Sequence, residues 1–300
     1  MARASAAGVA VAGTGVPDVL NDVDSGAREH YADPALYDYE YRRRRADVTF
    51  YRELARKRLG ASGRILELGA GTGRITLPLA RDGHRVVALD QSPAMLAGLS
   101  ARVAAAPGAV RDRIAIVRGE LCTFATPGRF PLIIAGFNVL EHLYTRGEWQ
   151  ACLARVEAHL APGGAFVFDV QLPDLAWLVR DASKRWARTK FTDPTTGRAM
   201  LYSTNHVYDP VHQIVVISLY YDPVDGRGGS IDGRGPGRVV KLSQRKYFPA
   251  ELEALSAHAG FRVAERYGDF FWAPLDARSE SQVLVLERAP KPRRKSSRSR

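Results

Sequence analysis

The sequence predicts an α/β fold, with a doubly wound and mostly parallel seven-stranded sheet that carries an antiparallel β insertion. Between about residue 46 and residue 170, apolar strand-like runs alternate with helical patterns. After residue 175 the chain becomes rich in β-branched and aromatic residues, with stretches of period two. A helical pattern and two strand-like runs then follow between residues 248 and 288. The alternation predicts parallel strands separated by helices, and the period of two predicts antiparallel strands.

The first half of the chain contains five predicted strands. A helical pattern over residues 47–59 precedes them, and another over residues 147–160 ends before a Pro-Gly-Gly turn. The strands are expected near residues 64–68, 85–90, 114–118, 131–135 and 164–170. In open parallel sheets the ligand lies at the carboxyl ends of the strands, so we expect functional residues there.

The second half begins with three predicted antiparallel strands. A turn over residues 209–213 joins the first two into a hairpin, and the Gly/Asp-rich residues 222–237 predict a mobile loop before the third. The strands, the helix after them and the closing strands are expected at residues 199–209, 214–221, 238–248, 248–260, 261–268 and 281–288.

Composition limits the class of protein. With 300 residues and 46% apolar content, the chain can bury a substantial core. Two cysteines allow at most one disulfide, which suits a reducing cytoplasm, and no apolar run approaches the ~20 residues that span a bilayer. Six of the positive charges behind the net charge of +11 lie in residues 289–300, which predict a basic disordered tail. Residues 1–28 contain an Ala/Gly-rich stretch and predict a disordered N-terminal tail.

Residues 64–74 are the most informative stretch. Glu67 lies in an apolar run typical of a buried strand, and Gly69, Gly71 and Gly73 follow it before a helical pattern begins. Glycines at such a turn let the backbone bend sharply and approach a ligand closely. The dinucleotide fingerprint G-x-G-x-x-G fits poorly, because Arg74 stands where its third glycine belongs. A tight turn in another kind of α/β domain is the simple alternative.

A second predicted strand ends at Asp90, nineteen residues after Gly71. A carboxylate at this position can accept hydrogen bonds from both hydroxyl groups of a ribose. Ser92 and Pro93 suit the N-cap and the first position of the helix that follows. Met95 is placed either to pack against a base or to fill the core.

These two segments resemble motif I and the D-x-S-x-x-M segment of class I S-adenosylmethionine-dependent methyltransferases. The resemblance covers roughly residues 34–288, and it implies a Rossmann-like methyltransferase fold with S-adenosylmethionine as cofactor and no metal. Methyl transfer from a sulfonium is an in-line displacement, in which the protein mainly aligns the acceptor and excludes water. The cofactor contacts that the resemblance implies are Tyr37, Tyr41, Arg45, Glu67, Gly69, Ala70, Gly71, Gly73, Asp90, Gln91, Met95, Gly119, Glu120, Leu121, Phe137, Asn138 and His142.

Four of the polar candidates have a plain alternative. Glu120 is expected near the adenine amino group, or is a surface carboxylate. Asn138 either hydrogen-bonds the cofactor or caps the helix that follows. His142 is a candidate catalytic base for an amine or phenol, or a structural histidine. Asp269 is a candidate catalytic residue that faces the acceptor as a base or ammonium partner, or it is a β-turn residue.

The segment before the first strand resembles the lead-in helix of glycine/sarcosine-type N-methyltransferases. Tyr37, Tyr39 and Tyr41 precede four arginines, of which Arg45 is the expected partner of the cofactor carboxylate. The ring faces of Tyr37 and Tyr41 are expected to close over the sulfonium, which makes Tyr41 a catalytic candidate. Packing of a lid, and a solvated helix start for the arginines, are the alternatives.

We therefore expect a cytoplasmic enzyme that transfers a methyl group from S-adenosylmethionine to a small-molecule acceptor, an amine before a hydroxyl or a carbon. Residues 29–175, with a lid helix, and residues 248–288 are expected to form the cofactor-binding core, and residues 176–247 to select the acceptor. An RNA or protein methyltransferase that uses the basic tail, and a non-catalytic regulator that binds the cofactor, are the alternatives. Neither a nucleic acid nor a membrane is expected as a partner, whereas the insertion offers a surface for a homodimer.

Overall fold

The computed structural model describes residues 22–224 and 237–290. Its strands are β1 (Arg64–Leu68), β2 (Arg85–Asp90), β3 (Ile114–Arg118), β4 (Phe130–Ala135), β5 (Leu160–Gln171), β6 (Trp186–Thr192), β7 (Ala199–Asp209), β8 (Ile214–Pro223), β9 (Arg238–Arg245), β10 (Phe261–Tyr267) and β11 (Ser281–Arg288). Seven of them form a sheet in the order β10-β11-β5-β4-β1-β2-β3, in which β11 is antiparallel to both neighbours. The order reverses at β1, where open α/β sheets bind their ligands. The predicted fold class is confirmed.

Helices cover both faces of the seven-stranded sheet, while α1 and α8 contact β9 and β7 of the other strands. The helices of the described residues are α1 (Val23–Gly26), α2 (Pro34–Tyr41), α3 (Ala46–Leu59), α4 (Thr76–Arg81), α5 (Pro93–Ala104), α6 (Gly108–Arg111), α7 (Arg146–His159), α8 (Leu175–Leu178) and α9 (Pro249–His258). Side chains of α3 to α6 pack in one apolar cluster, and those of α7 and α9 pack in another on the opposite face. Within the residues described, no helix combines the length and the apolar character needed to cross a membrane.

The remaining strands form a separate antiparallel sheet in the order β6-β7-β8-β9. Helix α2 connects this sheet to the core. Its Leu36 packs in an apolar cluster with Leu219 and Leu242 of the sheet, and its Asp38 accepts a hydrogen bond from the Thr72 hydroxyl of the core at 2.6 Å. The insertion therefore lies against the edge of the core at which the glycine turn is found.

Three sequence expectations need correction or cannot be compared. Residues 22–28 were expected to belong to a disordered tail, but α1 packs against β9 so closely that a Cβ on Gly26 would lie 2.6 Å from the Ser243 nitrogen. The edge strand β6 was not predicted. Residues 1–21, 225–236 and 291–300, which include most of the predicted mobile loop and of both tails, lie outside the described residues.

Candidate active site

A cavity of about 610 Å³ lies at the carboxyl ends of β1 and β2, beside the glycine turn. All three glycines have positive φ, a conformation that glycine adopts without strain. Added Cβ atoms at Gly69 and Gly73 would lie 2.4 Å from side-chain atoms of Val139 and Leu99, so packing also requires glycine there. At Gly71 an added Cβ would meet no atom within 4 Å, and this residue lines the cavity. A ligand can therefore approach the backbone at Gly71.

The carboxylate of Asp90 is fixed beside this turn. One oxygen accepts a hydrogen bond from the Gly71 amide and the other from the Ser92 amide, each at 2.8 Å. Ser92 caps α5, with its hydroxyl accepting from the Met95 amide at 3.3 Å. Burial raises the pKa of Asp90 above its usual value, against the effect of these hydrogen bonds. Each oxygen keeps a further lone pair for a hydroxyl donor.

Two ionisable residues, Glu67 and Arg74, lie next to the turn. Glu67 is 2% exposed, and its carboxylate accepts a hydrogen bond from the Thr76 hydroxyl at 2.5 Å. Burial raises the pKa of Glu67 to about 8, so this carboxyl group is mostly protonated at neutral pH. Arg74 lines the cavity, pairs with Asp47 at 2.9 Å, and lies 4.3 Å from the ring centre of Phe137. Its guanidinium is therefore a cation held in a fixed orientation.

The loop after β4 has an unusual backbone. Phe137 and Asn138 have φ of +68° and +61°, in the left-handed region that non-glycine residues rarely adopt. The Asp169 carboxylate accepts hydrogen bonds from both of their amides, at 2.7 Å and 3.1 Å, and from the Tyr51 hydroxyl at 2.5 Å. Burial raises the pKa of Asp169 to about 6, although these bonds favour the charged form. Asp169 thereby positions the loop at the edge of the cavity.

A second cavity of about 840 Å³ lies between the parallel core and the antiparallel sheet. Tyr31, Tyr37 and Phe137 line both cavities, and we refer to these three residues as the aromatic wall. Residues of the antiparallel sheet, among them Tyr202 and Gln244, line the second cavity only. The insertion thus contributes directly to a cavity that adjoins the first one.

A chain of hydrogen bonds begins at the aromatic wall. The Tyr31 hydroxyl lies 2.6 Å from Nε2 of His142, and Nδ1 of His142 lies 3.1 Å from the Tyr144 hydroxyl. The Ser243 hydroxyl donates to the carbonyl oxygen of Val23, so Tyr144 donates to Ser243 at 2.7 Å and accepts from Nδ1–H. Nε2 is then left to accept the Tyr31 proton. Burial lowers the pKa of His142 to about 4, which keeps the imidazole neutral at physiological pH.

The structure brings most of the predicted cofactor residues together. Those that line the first cavity are Tyr37, Glu67, Gly69, Ala70, Gly71, Asp90, Gln91, Met95, Gly119, Glu120, Leu121, Phe137 and His142. Among them, Met95 is buried and Glu120 is exposed. Tyr41 and Asn138 line the second cavity instead, and Gly73 packs within the core.

Besides Gly73, the predicted residues Arg45 and Asp269 lie outside both cavities. Arg45 is exposed at the start of α3, whereas Arg74 lines the first cavity. Asp269 accepts hydrogen bonds from the amides two and four residues later, at 2.8 Å and 3.0 Å, which matches the β-turn alternative. No sequence pattern marks Tyr31 or Asp169, whose partners here are 111 and 32 residues away along the chain. The position of Arg74 could have indicated a role in the site, because it directly follows the three glycines of the turn.

The open backbone position at Gly71, the carboxylate of Asp90 and the size of the cavity fit a cofactor that carries a ribose. Residues 65–164 match the family described as a methyltransferase domain. The chain is a class I S-adenosylmethionine-dependent methyltransferase, as the sequence predicted, and its cofactor is S-adenosylmethionine. Membership of the glycine/sarcosine-type subgroup stays a prediction.

Several methyltransferases are similar to this chain. The cypemycin N-terminal methyltransferase of a Streptomyces species is 24% identical over 226 residues, which are 75% of this chain and 82% of the relative. The CcbJ methyltransferase from Streptomyces caelestis has a TM-score of 0.68 and 26% identity, covering 87% of this chain and 98% of that chain. The glycopeptide N-methyltransferase MtfA, solved with S-adenosyl-L-methionine, has a TM-score of 0.56 and 23% identity, covering 81% and 87%. The MtfA likeness shows the fold alone.

Proposed function

We propose that this enzyme transfers a methyl group from S-adenosylmethionine to an amine of a small molecule by in-line displacement. The observation that carries the proposal is the aromatic wall, which lies between a cavity suited to a nucleoside cofactor and a cavity built partly by the insertion. S-adenosylmethionine supplies a methyl group that is already activated on a sulfonium. The chain then has to bind both partners, align the acceptor and exclude water.

In this proposal, residues that line the first cavity bind the cofactor. The backbone at Gly71 lies against the cofactor, Asp90 accepts hydrogen bonds from the ribose, and Met95 packs against the adenine. Glu120 lies near the adenine amino group. Arg74 takes the role of carboxylate partner that was expected of Arg45, because its guanidinium lines the cavity and Arg45 is exposed outside it. Two of its N–H groups already pair with the two oxygens of Asp47, so the cofactor carboxylate would use the remaining donors on Nε and Nη2.

The aromatic wall favours an amine in its neutral, nucleophilic form. None of its three side chains is ionised at neutral pH, since burial raises the pKa of Tyr31 and Tyr37 and Phe137 does not titrate. The nearby His30 ring is also neutral, because burial lowers its pKa to about 4. An amine desolvated beside these groups loses stabilisation of its charged form, so its pKa falls and its lone pair becomes available.

Tyr31 is the best-placed candidate for direct contact with the acceptor. Its proton is directed to Nε2 of His142, which leaves the lone pairs of the Tyr31 oxygen free to accept an N–H of the amine. This hydrogen bond would orient the nitrogen lone pair. The low pKa of His142 makes it a weak base at neutral pH, so we assign it a positioning role through Tyr31 instead of proton abstraction.

Two further observations agree with this proposal. The antiparallel strands of residues 176–247 form one side of the second cavity, in agreement with an insertion that selects the acceptor next to a core of residues 29–175 and 248–288. Similar proteins include one named as the cypemycin N-terminal methyltransferase and one named as a glycopeptide N-methyltransferase, and the second name states that nitrogen is methylated.

A panel of amines, phenols and carboxylates, incubated with the enzyme and mass-labelled S-adenosylmethionine, tests the proposal. We expect the label on nitrogen. Tyr31→Phe should lower turnover about tenfold through the loss of one hydrogen bond, with unchanged affinity for S-adenosylhomocysteine. Tyr39→Phe is the matched control, because Tyr39 lies outside both cavities. Label found only on phenols or carboxylates would contradict the amine proposal.

A further inference from the structure

A buried ion pair lies beside the second cavity and has no part in the mechanism proposed above. Lys246, just after β9, is 2% exposed, and Glu141, in the turn after β4, is fully buried. Nζ of Lys246 lies 2.7 Å from Oε2 of Glu141, whose other oxygen accepts the backbone amide of Gln171 at 2.8 Å. Burying such a pair costs desolvation energy unless further hydrogen bonds satisfy both groups. The remaining partners of Lys246 are therefore informative.

The ammonium of Lys246 fixes the orientation of two glutamine side chains. Besides Glu141, it contacts Oε1 of Gln171 at 2.5 Å and Oε1 of Gln244 at 3.0 Å. A lysine ammonium has three N–H donors and no acceptor, so the amide atoms that face it are oxygens. These three contacts use all its donors, which leaves Lys246 without one for a substrate. Both amide NH₂ groups consequently point away from Lys246.

These two amide groups are free donors at the second cavity. Gln171 and Gln244 both line it, and within residues 22–224 and 237–290 neither amide nitrogen donates to a protein atom. The local network of Lys246, Glu141 and the two amides has no net charge. Arg44 and Arg278 also line the second cavity, but neither is among the contacts of Lys246 and the two amides. The two amide groups by themselves offer a carboxylate no counter-ion to offset its lost hydration, so they suit an uncharged oxygen acceptor.

We propose that Gln171 and Gln244 recognise an uncharged carbonyl oxygen on the methyl acceptor, at a distance from the nitrogen that is methylated. Gln171 lies two residues beyond Asp169 on β5, so it is roughly 6–7 Å farther along the strand than the carboxylate that holds Phe137. The acceptor is then an amine with a carbonyl group several bonds away. This inference rests on the function proposed above, since it assigns the specificity of the same site.

Four probes of similar length distinguish the kinds of group that the amides of Gln171 and Gln244 could bind. They are 5-amino-N,N-dimethylpentanamide, which only accepts at its carbonyl, heptylamine, which has no oxygen, 5-aminopentanoate, which is anionic, and pentane-1,5-diamine, which donates. Calorimetry is done with the enzyme saturated with S-adenosylhomocysteine. We expect the dimethylamide to bind at least about tenfold more tightly than heptylamine, which corresponds to two hydrogen bonds of ordinary net strength. Tighter binding of the carboxylate than of the dimethylamide would overturn the inference.

The substitutions Gln171→Glu and Gln244→Glu test the NH₂ donors separately from the amide oxygens that contact Lys246. Glutamate keeps an oxygen for Lys246 and loses the NH₂ group, so the contact that orients the side chain survives. Each variant should lose most of the preference for the dimethylamide and gain affinity for the diamine, while heptylamine binds within about twofold of wild type. Gln150→Glu, on α7 and outside both cavities, should leave all four affinities unchanged. A preference that survives in both cavity variants would overturn the inference.

Labelled methyl transfer to the same probes separates the two proposals. Methylation of heptylamine and the dimethylamide with equal affinities overturns only the role of the glutamines and leaves the amine function standing. If neither amine binds or is methylated, the amine function fails and the inference fails with it. Urea unfolding of each variant checks that a loss of binding does not come from a loss of fold.

Discussion

Replacement of Gly71 by alanine tests the cofactor site most directly. The φ angle there is +55°, and an added Cβ meets no protein atom within 4 Å, so the fold has room for the methyl group. An alanine in the left-handed conformation costs about 1–2 kcal/mol. We therefore expect a folded protein whose free energy of unfolding in urea is lower by that amount.

The effect on cofactor binding should be larger, because the added methyl group occupies space where the cavity meets the backbone. A ligand displaced from close contact with the turn would also lose its alignment with Asp90. We expect the Kd for S-adenosylhomocysteine to rise at least a hundredfold, which corresponds to about 2.8 kcal/mol. Isothermal titration calorimetry on the folded variant measures this change.

Gly197→Ala is the matched control. Gly197 has φ of +68° and nothing within 4 Å of an added Cβ, but it lies between β6 and β7 and outside both cavities. The same strain should lower its stability by a similar amount and leave the affinity for S-adenosylhomocysteine unchanged. Wild-type affinity in Gly71→Ala would refute the placement of the cofactor at this turn.

Three further changes test individual side chains. Asp90→Asn removes one of two acceptor oxygens, so the Kd for S-adenosylhomocysteine should rise at least about tenfold by calorimetry, and an unchanged Kd would remove Asp90 from the site. Arg74→Ala should raise the KM for S-adenosylmethionine about fivefold or more in steady-state kinetics while Arg45→Ala leaves it unchanged, and the opposite result would restore the role first expected of Arg45. Glu67→Gln keeps an acceptor for the Thr76 hydroxyl and removes a carboxyl group whose pKa folding raises from 4.5 to about 8. The contribution of such a group to the free energy of unfolding is complete below 4.5, its pKa in the unfolded chain. This contribution is lost as the pH rises towards about 8, its pKa in the folded protein. The variant should therefore gain unfolding free energy relative to wild type by roughly 3 kcal/mol between pH 5 and pH 8, and a difference that does not vary with pH would contradict the raised pKa.

Strong local patterns predicted most of the fold. The predicted strand over residues 199–209 agrees with β7, because its β-branched and aromatic residues alternate along the strand. Two elements had no such pattern. The edge strand β6 is mostly exposed and includes Arg188 and Lys190, so no apolar face marks it. Helix α1 has four residues, and its main contacts are with β9, which follows it by more than 200 residues.

The candidate site likewise contains residues that short sequence motifs predict and residues that no local pattern marks. Glu67, Gly71 and Asp90 lie in short motifs, and their place at the ends of neighbouring strands follows from the order of the sheet. A run of four arginines does not reveal which side chain faces a cavity, so the choice of Arg45 had only its spacing from the first strand to support it. The role of Asp169 depends on a loop that is adjacent only in the folded chain.

The position of the insertion explains why the second cavity adjoins the first. Strand β5 is parallel to β4 and β1, so its carboxyl end lies at the edge of the sheet where the cofactor site is found. A segment inserted after Gln171 must begin at that edge, and it must return to it before α9 and the closing strands. Chain connectivity therefore places both ends of the insertion at the edge of the sheet that holds the cofactor cavity. The identities of its side chains are then free to determine which acceptor is bound, and Gln244, whose amide oxygen contacts Lys246, is one of the insertion residues that line the second cavity.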